Sequence, residues 1–349
     1  MKKFTSIFLI LAMLIVTLSG CSPSTTEAPA TTETEESTET ASIEGTTMTV
    51  VAAYGFAEEI FAEFTKDTGV KVEFLDMSSG EVLTRAEAEG GKPMADVWFG
   101  GGADSFMVAG EKGLLEDYVS EEEKSVDEKY RGDNFWTGIS LVTAGFMVNN
   151  DILAEKGLEA PKTWKDLLKP EYKDEIAMSD PAISGTNYAV VNCILQSMGE
   201  EEGWAYLEEL NKNIPFYFQR GGEPPTKVSA GEMAIGVIPM SGEFIAMKDK
   251  FPVTTIYPED GIPWVPAGLA IFKNASNLDA AKAFVDWALS AKGQEIIRDK
   301  DPRVMVRSDV AIPELMNDIN LDKLMDIDLL KFSSERETIL ERWSTMVGN

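Results

Sequence analysis

The chain reads as an α/β protein of two lobes, each built on a doubly wound, mostly parallel sheet. Three observations predict this. From Thr47 onward, short β-branched and apolar runs alternate with stretches of helical periodicity. Glycines punctuate the strand ends, at Gly55 and at Gly100-Gly101-Gly102. A length of 349 residues, 44% of them apolar, is enough for two sizeable cores.

The elements follow in order. Thr47 to Tyr54 is a buried parallel strand, broken by Gly55. Phe56, Ile60, Phe61 and Phe64 share one face of a helix that Thr68-Gly69 stops. Val70 to Leu75 is a second strand, and Ser79-Gly80 opens a helix running through Ala88. Ala95 to Phe99 is a third strand, followed by a helix from Ala103 to Lys112 that Gly113 closes. This β–α order implies a parallel, doubly wound sheet. Leu141 to Asn149 is a strand crossing between lobes. A second α/β unit follows: helix at Trp164 to Leu168, strand at Glu175 to Ser179, helices at Tyr188 to Met198 and Glu201 to Lys212, strand at Met233 to Ile238. The chain then returns through a strand at Ala267 to Phe272 and an amphipathic helix at Leu278 to Leu289. The last 50 residues are expected to be mostly helical. The implied division is 47–146 for the first part of lobe 1, 147–266 for lobe 2, and 267–349 for the rest of lobe 1.

Residues 1–20 have the pattern of a secretory signal. Lys2 and Lys3 precede an apolar run from Ile7 to Leu18, which is short for a membrane span. Leu18-Ser19-Gly20-Cys21 resembles the bacterial lipobox, which implies cleavage before Cys21 and a lipid on its thiol. Residues 21–46 carry Ser, Thr and six Glu but no Lys or Arg. Such a stretch buries no core and is expected to be a disordered, self-repelling tether. The expected location is the outer face of the cell membrane, facing the periplasm if the cell has one.

Composition excludes several functions. A net charge of −28 opposes nucleic acid and anionic lipid surfaces, and favours a soluble monomer. The chain has no His, which removes the usual general base and any His-ligated metal site. No spacing singles out a pair of carboxylates or a Lys for catalysis, so no enzyme, metal or cofactor is expected. Of the two Cys, Cys193 on an apolar helix is expected in the core.

Several segments resemble bacterial solute-binding proteins. Thr65-Lys66-Asp67-Thr68-Gly69-Val70-Lys71-Val72 and Ala95-Asp96-Val97-Trp98-Phe99 are similar to their strand and turn motifs. Asp180-Pro181-Ala182-Ile183-Ser184-Gly185-Thr186 resembles the anion loop of the branch that binds ferric iron, hexose phosphate or aminoalkylphosphonate. Ala230-Gly231-Glu232-Met233-Ala234-Ile235-Gly236 and the segment from Phe284 to Ile297 are similar to that branch too. Together these span roughly residues 47–300. The resemblance implies a two-lobed type II periplasmic-binding-protein fold with hinge crossings, and delivery of a small ligand to an ABC permease. Where the ferric binders carry a Tyr pair, this chain has Ile238-Pro239-Met240-Ser241-Gly242, which speaks against their iron constellation.

Candidate ligand residues follow. Ser184-Gly185-Thr186 lies between a strand and a helix, where consecutive N–H groups and two hydroxyls cradle a phosphate or carboxylate, or else cap the helix. Tyr54-Gly55 and Gly101-Gly102 end strands of lobe 1, where glycine admits a ligand close to backbone N–H groups. Ser79-Gly80 is either a cap or a second donor pair. Arg220 supplies a charge for an anion or a surface salt bridge. By carry-over from the family, Ser241 faces the cleft. Trp136, Trp264 and Tyr188 are stacking walls or core. The acidic body suits a cationic ligand as well, so ferric iron or another cation held by other oxygen ligands stays open.

Overall fold

The computed structural model describes residues 42–348. The signal segment, Cys21 and residues 22–41 of the tether lie outside the described residues. From Ile43 onward the chain forms one compact unit. Its elements in order are β1 (Thr47–Ala53), α1 (Ala57–Thr68), β2 (Lys71–Asp76), α2 (Ser79–Glu89), β3 (Val97–Gly102) and α3 (Ala103–Glu111). Next come β4 (Thr137–Asn149), α4 (Asn150–Lys156), β5 (Ile176–Ser179), α5 (Gly185–Met198), α6 (Glu200–Asn211), β6 (Tyr217–Phe218) and α7 (Glu223–Ser229). The remainder is β7 (Ile235–Pro239), α8 (Gly242–Ile245), β8 (Val253–Ile256), β9 (Trp264–Ile271), α9 (Leu278–Leu289), α10 (Ala291–Lys300), α11 (Leu330–Ser334) and α12 (Arg336–Val347).

The strands lie in the order β2-β1-β3-β9-β4-β7-β5-β6, with β8 also on β4. Parallel pairs β1–β2 and β1–β3 form the first lobe's sheet, and parallel pairs β5–β7 and β5–β6 form the second. Two antiparallel strands join them. β4 pairs with β9 over Thr137 to Thr143, then with β7 and β8 over Ala144 to Asn149. All 13 residues of β4 are buried, so the hinge strand runs through the core along its whole length, carrying the buried polar Thr137, Ser140, Thr143 and Asn149 among its apolar residues.

Local chemistry explains the elements. In α1, Ile60, Phe61 and Phe64 are buried on one face, and Gly69 closes the helix in the left-handed conformation with its N–H on Thr65 O. Phe56 does not join that face. It precedes the helix as its N-cap and is 42% exposed. Asp96 is buried because it ties elements together: its carboxylate accepts from the Thr49 amide at 2.9 Å and the Asn277 amide at 2.9 Å, fixing β1 against the start of α9.

Some expectations change. The last 50 residues are helical only in part: Pro302 to Leu329 runs as extended chain with two short 3-10 turns before α11 and α12. That segment is anchored by its backbone carbonyls. Trp264 Nε1 donates to Met325 O at 2.8 Å and Gln196 Nε2 to Asp328 O at 3.1 Å, while the Tyr188 hydroxyl holds α11 just beyond it through Phe332 O at 2.7 Å. α12 lays Trp343 edge-on to Tyr217, with ring centroids 5.0 Å apart. Trp136, Trp264 and Tyr188 are core residues, and Cys193 is a buried free thiol. Among the described residues, no helix is long and apolar enough to cross a membrane.

Candidate functional site

A cleft of about 590 Å³ opens between the carboxyl ends of the two sets of parallel strands. Its lining comes from the loop after β1, the ends of β2 and β3, the first turns of α2 and α5, the loop before α7, and the segments at Glu243 and Arg303. Tyr54, Gly55, Ser79, Gly101, Ser184, Gly185, Thr186 and Arg220 all line it. Gly80, Gly102 and Ser241 do not.

The first turn of α5 is the clearest feature. Ser184 is its N-cap, and its hydroxyl oxygen accepts from the Asn187 amide at 3.3 Å and the Asn187 side chain at 3.0 Å. That fixes the loop and satisfies one early N–H group. The amides of Gly185 and Thr186 come before any residue that could find a helical acceptor. No acidic residue sits in this turn, so the positive end of the helix dipole is uncompensated there.

The facing helix begins differently. Its cap is Ser78, one residue earlier than the sequence suggests. The Glu81 carboxylate accepts from the Ser78 amide at 2.8 Å and hydroxyl at 2.9 Å, closing a capping box. Gly80 serves the contact between lobes. Its N–H donates to Ile183 O at 3.3 Å, and a Cβ there would overlap the Ala182 carbonyl. Gly185 lies equally tight from the other side: a Cβ would overlap Ser79 Oγ and stand 3.1 Å from the Gly102 amide. Gly102 itself caps α3 directly beneath Gly185.

Arg220 crosses the cleft. Its guanidinium meets Asp76 at 3.0 Å and Glu81 at 3.3 Å, while its backbone is held by Glu223 and Ser179. In this conformation its charge is spent on lobe 1 carboxylates. Ser241 is fully buried, and its hydroxyl has no partner among the described residues. The reason is local: the Gly242 amide bonds to Pro302 O at 2.8 Å, which tucks the start of α8 under the returning chain.

The cleft also contains residues that the sequence reading missed. Arg303 is only 8% exposed and lines the floor. Both its Nε and Nη2 reach Asp301 Oδ2, at 2.7 and 2.6 Å, and its guanidinium sits 4.1 Å over the Tyr54 ring. The Tyr54 hydroxyl shares a 3.0 Å hydrogen bond with Ser140, and burial pushes its pKa up, so it stays a neutral phenol. Glu243 faces Gly55. The protein packed around it, and then the charge of Asp301, raises its carboxyl above the ordinary range. Phe56, Phe74 and Phe244 add apolar walls, and Glu58, Glu59 and Asp76 add acid.

Two mixed sheets sharing a hinge strand, with helix starts facing across a cleft, define a type II periplasmic-binding-protein fold. The chain belongs to the family described as bacterial extracellular solute-binding protein, whose profile matches residues 92–324. An uncharacterized protein of Haemophilus influenzae is 33% identical over 290 residues, 80% of this chain and 84% of that one. The Fe(3+)-binding periplasmic protein of Serratia marcescens is 27% identical over 245 residues, 67% of this chain and 70% of its own. Among solved structures, the periplasmic binding protein AfuA from Actinobacillus pleuropneumoniae, with fructose-6-phosphate bound, superposes with a TM-score of 0.82 at 30% identity. That match covers 87% of this chain and 99% of AfuA. This protein is therefore an extracellular solute-binding protein of the kind that serves ABC importers.

Proposed function

We propose that this protein captures a small phosphorylated solute between its lobes and hands it to an ABC permease in the cytoplasmic membrane. It works as a monomer, held outside the cell by a lipid on Cys21. It binds and releases without turnover. The observation that carries the ligand assignment is the open first turn of α5. Ser184, Gly185 and Thr186 present a hydroxyl and two amides that have no partner among the described residues, with no carboxylate in that turn to compete. Ser79 and Arg303 add a hydroxyl and a cation to the same cleft. That AfuA was solved with a sugar phosphate supports the reading.

Calorimetry tests it. Glucose 6-phosphate is expected to bind and to be recovered unchanged, while glucose is not bound. Equal binding of both, or failure of every phosphate ester tried, would sink the phosphate assignment.

A second reading, a ferric or other cation ligand, is favoured by the acids Glu58, Glu59, Asp76 and Glu243 in the lining and by the Serratia relative. Iron that stays with the protein through gel filtration, after loading from a ferric chelate, would decide for it.

A further inference from the structure

We infer that Phe56, seconded by Phe74, determines specificity by stacking on a ring carried by the phosphorylated ligand. The inference rests on the phosphate reading above and adds the shape of the ligand's body.

Phe56 has φ 49° and ψ 31°, the left-handed region, where a bulky side chain is strained and glycine would be at ease. Such strain is characteristic of functional sites. In the protein alone the ring gains little in return, because it is 42% exposed and lines the cleft instead of joining the α1 face. A strained backbone carrying an exposed phenyl ring is a poor solution for folding. It is a good one for presenting a flat apolar surface to something that enters the cleft.

Phe74 makes the same point independently. It sits near the end of β2, is 38% exposed, and also lines the cleft. Phe61 braces it edge-on from the core, with centroids 5.5 Å apart. The cleft volume of about 590 Å³ falls in the range of organic-ligand sites, roughly 300–1,000 Å³. A bare ion would leave most of that space unfilled. The shared chemistry is a phosphate monoester on a ring, either an aromatic ring or the C–H face of a sugar.

The test is calorimetry of the purified protein with phenyl phosphate, glucose 6-phosphate, glycerol 3-phosphate and inorganic phosphate, on wild type, Phe56→Ala, Phe56→Gly and Phe74→Ala. At least one ring ester is expected to bind wild type about tenfold more tightly than glycerol 3-phosphate. Phe56→Ala and Phe56→Gly should erase that preference and leave glycerol 3-phosphate within about twofold, and Phe74→Ala should reduce it. Phe56→Gly should melt no lower than wild type, because the backbone strain is released. A preference for phenyl phosphate assigns an aromatic ring, and one for glucose 6-phosphate a sugar. Wild type binding linear and ring esters equally, or Phe56→Ala weakening every phosphate alike, overturns this inference and leaves the phosphate site standing. Failure of every phosphate compound to bind overturns the site itself, and the inference with it.

Discussion

The two helices that face each other across the cleft begin with nearly the same residues and have opposite chemistry. α2 opens on Ser78-Ser79-Gly80 and α5 on Ser184-Gly185-Thr186. Each has a serine cap. The difference lies three residues past the cap, where α2 has Glu81 and α5 has Asn187. Glu81 bends back onto Ser78, closes the helix end, places a negative charge there and attracts Arg220. Asn187 is neutral, and its amide donates to Ser184. One end therefore carries a negative charge of its own and serves as a structural contact between lobes. The other is left open, with its dipole free for an anion. The presence of Ser and Gly at a helix start does not by itself make an anion site; the third residue decides.

The most damaging change should be Asn187→Asp. It is nearly isosteric and sits where a helix tolerates an acid, but it gives α5 the charge that α2 already has. A like charge about 6 Å from a bound phosphate costs roughly 3 kcal/mol at an effective dielectric near 20. The expected loss of phosphate-ester affinity is about a hundredfold by calorimetry, with the fold retained by circular dichroism. Affinity within threefold of wild type would mean that the contrast between the two helix ends is not what selects the ligand.

Gly185→Ala should have the next largest effect, by a different route. Alanine is a better helix former than glycine, so α5 gains locally. The added methyl, however, would overlap Ser79 Oγ and press on the Gly102 amide, so it wedges the lobes apart. Closure is then penalised while folding is not. Affinity should fall about tenfold, the radius of gyration with ligand should exceed that of the wild-type complex, and the melting temperature should hold or rise. A variant that closes normally by small-angle scattering would show that the contact at Gly80 and Gly185 yields easily.

Much of this contrast was legible in the sequence. The β–α alternation from Thr47 places the strand ends together, and Ser184-Gly185-Thr186 stands out as small hydroxylated residues between an apolar strand and an apolar helix, a pattern that serves a helix cap or an anion site. What stayed hidden depends on where the chain returns. Arg303 and Glu243 enter the cleft only because the segment after α10 folds back against α8, and no local pattern announces that. Phe56 misleads for a sharper reason: it keeps helical spacing with Ile60 and Phe64, yet its left-handed backbone turns it out of the helix. α7 was obscured by Pro224 and Pro225, which a helix accepts in its first turn where no N–H partner is needed. Ser241 was placed by analogy in a stretch that here lies buried.

The smallest effect separates the open helix end from the acid that shares its cleft. Glu243 has its pKa raised by the protein around it and by Asp301, so it takes up a proton before ordinary carboxylates do as the pH falls. Protonation removes a negative charge from the cleft, and anion affinity should rise severalfold as the pH drops from 7 through the interval between its raised value and the ordinary carboxylate value. The phosphate ester loses a charge near pH 6 and pulls the other way, so the measurement is the difference between wild type and Glu243→Gln, in which the ligand's own titration cancels. The variant should hold the higher affinity across the range. Stability follows the same sign: a carboxyl whose native pKa exceeds its unfolded one contributes most below the unfolded value and loses that contribution as the pH rises through the native one. Wild type should therefore lose melting temperature relative to Glu243→Gln as the pH is raised across this interval. Parallel affinity profiles for the two proteins would place Glu243 too far from the bound anion to matter, and leave the α5 end as the whole of the electrostatic selection.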